Sequence, residues 1–172
     1  MASGFECARI ANIAFPKTQF AQPSAIDDAS TIVTPTPTID FAPSGTDEYV
    51  ILGGRLLEDY DGGGTKLRFL FLSSATSGSA RWVASWRRMA AGTSPAASFT
   101  WSTNEQAVTV ATHGSANTWV LVEIPFTHGT QMNNTVAGEE YQIRVHRDQD
   151  HADDGLAVDA RIGSDTFAIL EV

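Results

Sequence analysis

The 172-residue chain has one cysteine, Cys7, so no intramolecular disulfide can form. That fits folding in a reducing compartment and leaves stability to burial rather than cross-links. Basic residues are also scarce: 11 Lys and Arg stand against 20 Asp and Glu, for a net charge of −9. Such a balance argues against a nucleic-acid surface, which needs a concentrated basic footprint, and against docking to anionic lipid. No run approaches the ~18 consecutive apolar residues of a membrane helix. The opening MASGFECARIANIAF has no basic leader and carries Glu6, which reads as a chain without a secretory signal. Helical periodicity is nearly absent too. The most helix-like stretch, MAAGTSPAASF, is broken by Gly92 and Pro95.

What is present is strand patterning. Short apolar or alternating runs occur at 38–42, 48–57, 65–74, 80–90, 105–112, 118–127, 139–148 and 156–172, the last divisible at Gly163. In one run Leu67, Phe69 and Phe71 alternate with Lys66, Arg68 and Leu70; in another Tyr141, Ile143 and Val145 alternate with Gln142, Arg144 and His146. About eight strands at this spacing without helices predict an all-β, antiparallel β-sandwich of jelly-roll type. Residues 37–172 make up that domain. Residues 1–36, rich in Pro, Ser and Thr yet carrying Ile10, Ile13, Phe15 and Phe20, are expected to form an extended N-terminal arm. Within it, ARIANIAF suits either a short helix or a strand.

Catalytic patterns are weak. DGGGTK, at 61–66, resembles a phosphate loop, but Thr65 precedes Lys66 and a strand pattern follows where a helix start is needed. Glycine turns supplying positive φ are the simpler reading. His113, His128, His146 and His151 lack zinc spacing, and no G-x-S-x-G is present. Glu139 and Glu140 are adjacent, so a strand would point them to opposite faces rather than across a glycosidase cleft. No enzyme is predicted. RDQDHADDG, at 147–155, offers Asp148, Asp150 and Asp154 either as calcium ligands or as amide caps in an acidic turn. No other cofactor is expected. Among Trp82, Trp86, Trp101 and Trp119, indole faces invite sugar stacking. Trp82 and Trp86, however, share a strand face and read as a core or subunit-interface stripe.

Three segments together, 39–89, 118–126 and 141–162, resemble small jelly-roll virion proteins of tailed bacteriophages. The resemblance rests on Asp40–Phe41, Tyr60 to Gly64, Ala75 to Gly78 with Trp82, and Arg147, Asp148, Asp150 and Asp154. It implies a homotrimer that decorates or cements the outer capsid surface. Such a protein is assembled in the host cytoplasm and has the major capsid protein as its partner. The alternative it implies is a trimeric receptor- or carbohydrate-binding domain of a head or tail fibre. Under the decoration reading, Ile10, Ile13, Phe15, Phe20, Trp82 and Trp86 are the expected interface residues.

Overall fold

The computed structural model describes residues 38–91 and 101–172 in full, and residues 6–14 and 22–23 as strand backbone. Among the described residues there are eleven strands, one 3-10 turn and no α-helix. They are β1 (Glu6–Ala14), β2 (Gln22–Pro23), β3 (Thr38–Phe41), β4 (Tyr49–Leu56), β5 (Gly64–Ser73) and β6 (Ser79–Met89). The rest are β7 (Gln106–Ala111), β8 (Val120–Thr127), β9 (Glu140–Arg147), β10 (Ala160–Gly163) and β11 (Ala168–Glu171). Every described pairing is antiparallel, as expected.

The strands form the two layers of a jelly-roll sandwich. In the first layer β8 lines one side of β5, β10 and β11 share its other side, and β3 and β2 lie beyond β10. The second layer runs β1-β4-β9-β6-β7. Because β1 pairs with both β4 and β11, hydrogen bonding passes from one layer to the other. Residues 8–14 of ARIANIAF are therefore strand rather than helix. Ile10 and Ile13 fall in that strand opposite Gly54 and Leu52, while Phe15 and Phe20 lie outside the described residues.

Strand alternation sets the core. Leu67, Phe69 and Phe71 face inward from β5, opposite Tyr141, Ile143 and Val145 from β9. Between them sit Trp82 and Trp86, both at 0% exposure. Trp82 meets Phe41, Phe69 and Phe71 edge-on at 5.2–5.6 Å between centroids. Trp86 stacks on Tyr141 at 4.3 Å and donates its indole N–H to Thr135 Oγ1 at 2.9 Å. The interface role expected of Trp82 and Trp86 is thus corrected. β6 lies between β9 and β7, and the inward phase of its alternation spends both rings on the chain's own core.

The glycine turn is settled in the same way. Gly62 (φ 86°) and Gly64 (φ 137°) take backbone angles that L-residues avoid, and β5 starts at Gly64 with no helix behind it. It is a β-turn region with no phosphate-binding geometry.

Candidate functional site

Asp148, Asp150 and Asp154 do not converge on a cation. The Asp154 carboxylate is taken by Arg147, whose Nε and Nη2 donate at 2.9 and 2.7 Å. It also accepts the backbone N–H groups of Arg81 (2.9 Å) and Leu156 (3.2 Å). Asp148 accepts Arg81 Nε at 2.9 Å, and Asp150 is exposed. Among the described residues no three His, Cys, Asp or Glu side chains are grouped to hold a metal. The calcium expectation is corrected in favour of capping: Arg147 and two backbone amides hold the Asp154 carboxylate, Arg81 holds Asp148, and the three aspartates form no common cluster.

Other motif residues join the same end of the sandwich, whereas Tyr60 to Gly64 lie at the opposite end, before β5, where Tyr60 meets His128 and Gly64 approaches the Phe126 carbonyl. Arg147 also donates to the carbonyls of Val158 (2.8 Å), Ala42 (3.4 Å) and Leu156, tying the end of β9 to the chain just after Phe41. Gly78 lies where an added Cβ would be 3.0 Å from the Gly155 carbonyl, so the Ala75–Gly78 turn packs directly on the acidic turn. These residues build an internal clasp.

The surface with recognition chemistry lies elsewhere, on the outer face of the second layer. Across β4, β9 and β6 the register aligns three rows: Tyr49, His146 and Val83; Ile51, Arg144 and Ser85; Gly53, Gln142 and Arg87. Their neighbours in each strand face the core, so the side chains in these rows face outward. Trp101 joins them from the segment before β7. Its place is set by Ser102, which donates N–H to the Trp86 carbonyl at 2.9 Å and its hydroxyl to the Thr130 carbonyl at 3.1 Å.

The result is an alternating ladder of rings and guanidinium groups. Arg144 Cζ lies 4.8 Å from the Tyr49 ring centre and 5.1 Å from that of Trp101. Arg87 Cζ lies 4.5 Å from the Trp101 ring. Cation–π contacts of this kind hold planar groups in a fixed stack. Polar partners lock the arginines from the side. Arg144 Nη2 donates to Glu105 Oε1 at 2.8 Å, the same oxygen accepts the Ser85 hydroxyl at 2.5 Å, and Arg87 donates through Nε and Nη2 to Gln142 Oε1. At the far end the Tyr49 and His146 rings meet edge-on at 5.1 Å, with His146 Nε2 3.7 Å from Asp47.

Burial shapes the electrostatics of this face. It pushes the Tyr49 hydroxyl above its usual pKa, aided by Asp47, and it lowers Arg87. It also lowers His146, against the opposing pull of Asp47 and Glu105, so the imidazole is neutral at pH 7. The face therefore presents two cations, a phenol and an amide from the sheet, with an indole and a half-exposed carboxylate from the segment before β7.

Comparison with known proteins finds distant similarity and no residue-level guidance. No protein-family model matches the chain, and no curated protein matches it. Among solved structures the chain has distant neighbours. TmCBM61 in complex with β-1,4-galactotriose is 16% identical, with coverage of 99% of this chain and 92% of that one and a TM-score of 0.41. The K3 cleaved adhesin domain of Lys-gingipain from Porphyromonas gingivalis W83 is 14% identical, with 78% and 74% coverage and a TM-score of 0.39. A family 11 carbohydrate-binding module from Clostridium thermocellum, in complex with a β-1,3-1,4-mixed-linked tetrasaccharide, is 12% identical, with 86% and 96% coverage and a TM-score of 0.34. At such values the likeness concerns the β-sandwich alone.

Of the four tryptophans that invite sugar stacking, only Trp101 belongs to this face. Trp82 and Trp86 are core, and Trp119 packs beside Gly163. Sequence reading passed over Tyr49, Arg87, Glu105 and Arg144 as site residues. The signal available was the polar phase of β9, Gln142–Arg144–His146, which reads as an ordinary solvated face until Trp101 is placed over it.

Proposed function

We propose that this chain is a non-catalytic binding domain that recognises a saccharide on the outer face of β4, β9 and β6. This is the carbohydrate-binding alternative of the sequence reading. The observation that carries it is the ladder Tyr49–Arg144–Trp101–Arg87. A pyranose ring presents a C–H face that an indole can cover, and paired hydroxyls at its edge that a guanidinium fork and an amide can grip. Mounting Tyr49, Arg144 and Arg87 on three adjacent strands preorganises them, and the Ser102 hydrogen bonds seat Trp101 beside them, which lowers the ordering cost of binding.

Affinity electrophoresis in gels containing soluble polysaccharides tests this reading. Retardation by at least one polysaccharide, lost in Trp101→Ala and unaccompanied by new reducing ends, is the expected result. Migration unchanged in every gel, or release of reducing ends, contradicts it.

A second reading, the homotrimer that decorates a phage capsid, draws support from one feature on the opposite layer. Leu70 and Leu121 are cross-strand neighbours on the outer face of β5 and β8, and Leu121 is 44% exposed. An apolar pair in that position suits a contact with a second subunit or with the major capsid protein at the virion surface. Light scattering on the purified chain tests it: a mass of three chains supports it, and a monomer opposes it.

A further inference from the structure

The saccharide that this face accepts is, we infer, a carboxylated one: an acidic sugar whose carboxylate replaces Glu105 on Arg144 while its ring lies against Trp101. The inference rests on the saccharide-binding reading and specifies its ligand class. Its basis is the way in which the face already handles a carboxylate. Glu105 Oε1 is held by Arg144 Nη2 at 2.8 Å and by the Ser85 hydroxyl at 2.5 Å, with Ser85 itself fully buried beneath them. Ser85 and Arg144 face each other in the β6–β9 register, so these two donors are fixed by the sheet whether or not Glu105 is present.

Glu105, by contrast, comes from outside the paired strands, one residue before β7, and its side chain is 41% exposed. It is the replaceable member of the set. The hold is also incomplete. A guanidinium can grip a carboxylate with two parallel N–H groups, and Arg144 uses Nη2 on Glu105 while its Nε has no hydrogen-bond partner among the described residues. A buried donor without an acceptor costs free energy, so a carboxylate that engages both Nε and Nη2 gains over Glu105 on the same arginine. Trp101, 5.1 Å from the same guanidinium, places an aromatic face at the distance of an adjoining sugar ring. The chain's net charge of −9 repels anions at long range, so recognition must come from this short-range fork.

The test is calorimetric titration of the full chain with three acidic probes: trigalacturonic acid, trimannuronic acid and sialyllactose. Each is paired with its carboxyl-reduced, neutral form. The expected result is that at least one acid binds and that its reduced form binds tenfold or more weakly. Glu105→Gln is expected to tighten acid binding severalfold, because the internal competitor becomes neutral. Arg144→Lys keeps a charge but loses the fork, and should cost at least tenfold with the melting temperature checked in parallel. If acid and reduced forms bind equally, or Glu105→Gln weakens the acid, the carboxylate inference fails while saccharide binding stands. If no probe binds in either form, both fail.

Discussion

Replacing Arg147 by methionine, which has a side chain of similar reach, removes one of the most heavily committed groups in the molecule. Its five N–H groups are matched by five hydrogen bonds: two to Asp154 and one each to the carbonyls of Ala42, Leu156 and Val158. The pair is sealed from water, with side-chain exposures of 0% for Arg147 and 1% for Asp154. Without Arg147, Asp154 keeps the N–H groups of Arg81 and Leu156 but has no countercharge. Removing one partner of a buried ion pair costs about 3–5 kcal/mol. A domain of this kind has a total stability of about 5–15 kcal/mol, so the loss is a large share of it. With a urea dependence of about 2 kcal/mol per molar, the unfolding midpoint should fall by about 2 M. Asp154→Asn, which leaves the cation, should lose a similar amount. The double variant Arg147→Met/Asp154→Leu should recover part of it, since an apolar pair has no charge to strand. Equilibrium urea unfolding followed by tryptophan fluorescence measures all three. A single variant that loses less than about 1 kcal/mol refutes the clasp as the stabilising core of this end of the sandwich.

Other outcomes follow from the same structure. Trp86→Ala, which empties a site stacked on Tyr141, should cost about 3–5 kcal/mol by thermal or chemical unfolding. Gly64→Ala should cost about 2 kcal/mol or more, because φ is 137° and the new Cβ would sit 2.9 Å from the Phe126 carbonyl. Gly114→Ala, with open space around it, should change unfolding little. Burial raises the Asp154 carboxyl, but hydrogen bonds from Arg147 and the Arg81 amide outweigh it and hold the pKa low. Its contribution is therefore complete above the unfolded carboxylate value of about 3.9 and is lost as pH falls through the lower folded value. An acid titration of stability should be flatter in Asp154→Asn. Burial lowers His146, so the unfolded state takes up its proton first and the melting temperature should fall as pH drops below about 6.5. His146→Gln should remove that component.

The fold was legible because alternation and turn residues agree. Leu67, Phe69 and Phe71 announce an inward face, and Gly62 and Gly64 announce the turn before it. Both signals are local, and the structure places those residues accordingly. The runs at 105–112 and 118–127 appear as β7 and β8, the first trimmed at both ends and the second at its start. The last run divides into β10 and β11 around Gly163, as its composition suggested. Trp82 and Trp86 show where local reading stops. A shared strand face is visible in sequence, but whether it meets the other layer or another subunit depends on which strand lies behind it. The acidic turn is similar: Asp148 and Asp154 look like ligands until Arg81 and Arg147 are brought to them by strand pairing. The candidate site was least visible of all. Tyr49, Arg87, Trp101 and Arg144 come from four separate segments, and no spacing rule links them; the β4–β9–β6 register brings three together and the Ser102 hydrogen bonds bring Trp101.

The most direct test of the central claim is amide chemical-shift mapping of the full chain during titration with a polysaccharide fragment that retards it on affinity gels. The account predicts saturable shifts concentrated at Tyr49, Ser85, Arg87, Trp101, Glu105 and Arg144, with the Trp101 indole N–H among the largest. Shifts that cluster instead around Leu70 and Leu121 on the opposite layer, or that never saturate, would contradict it.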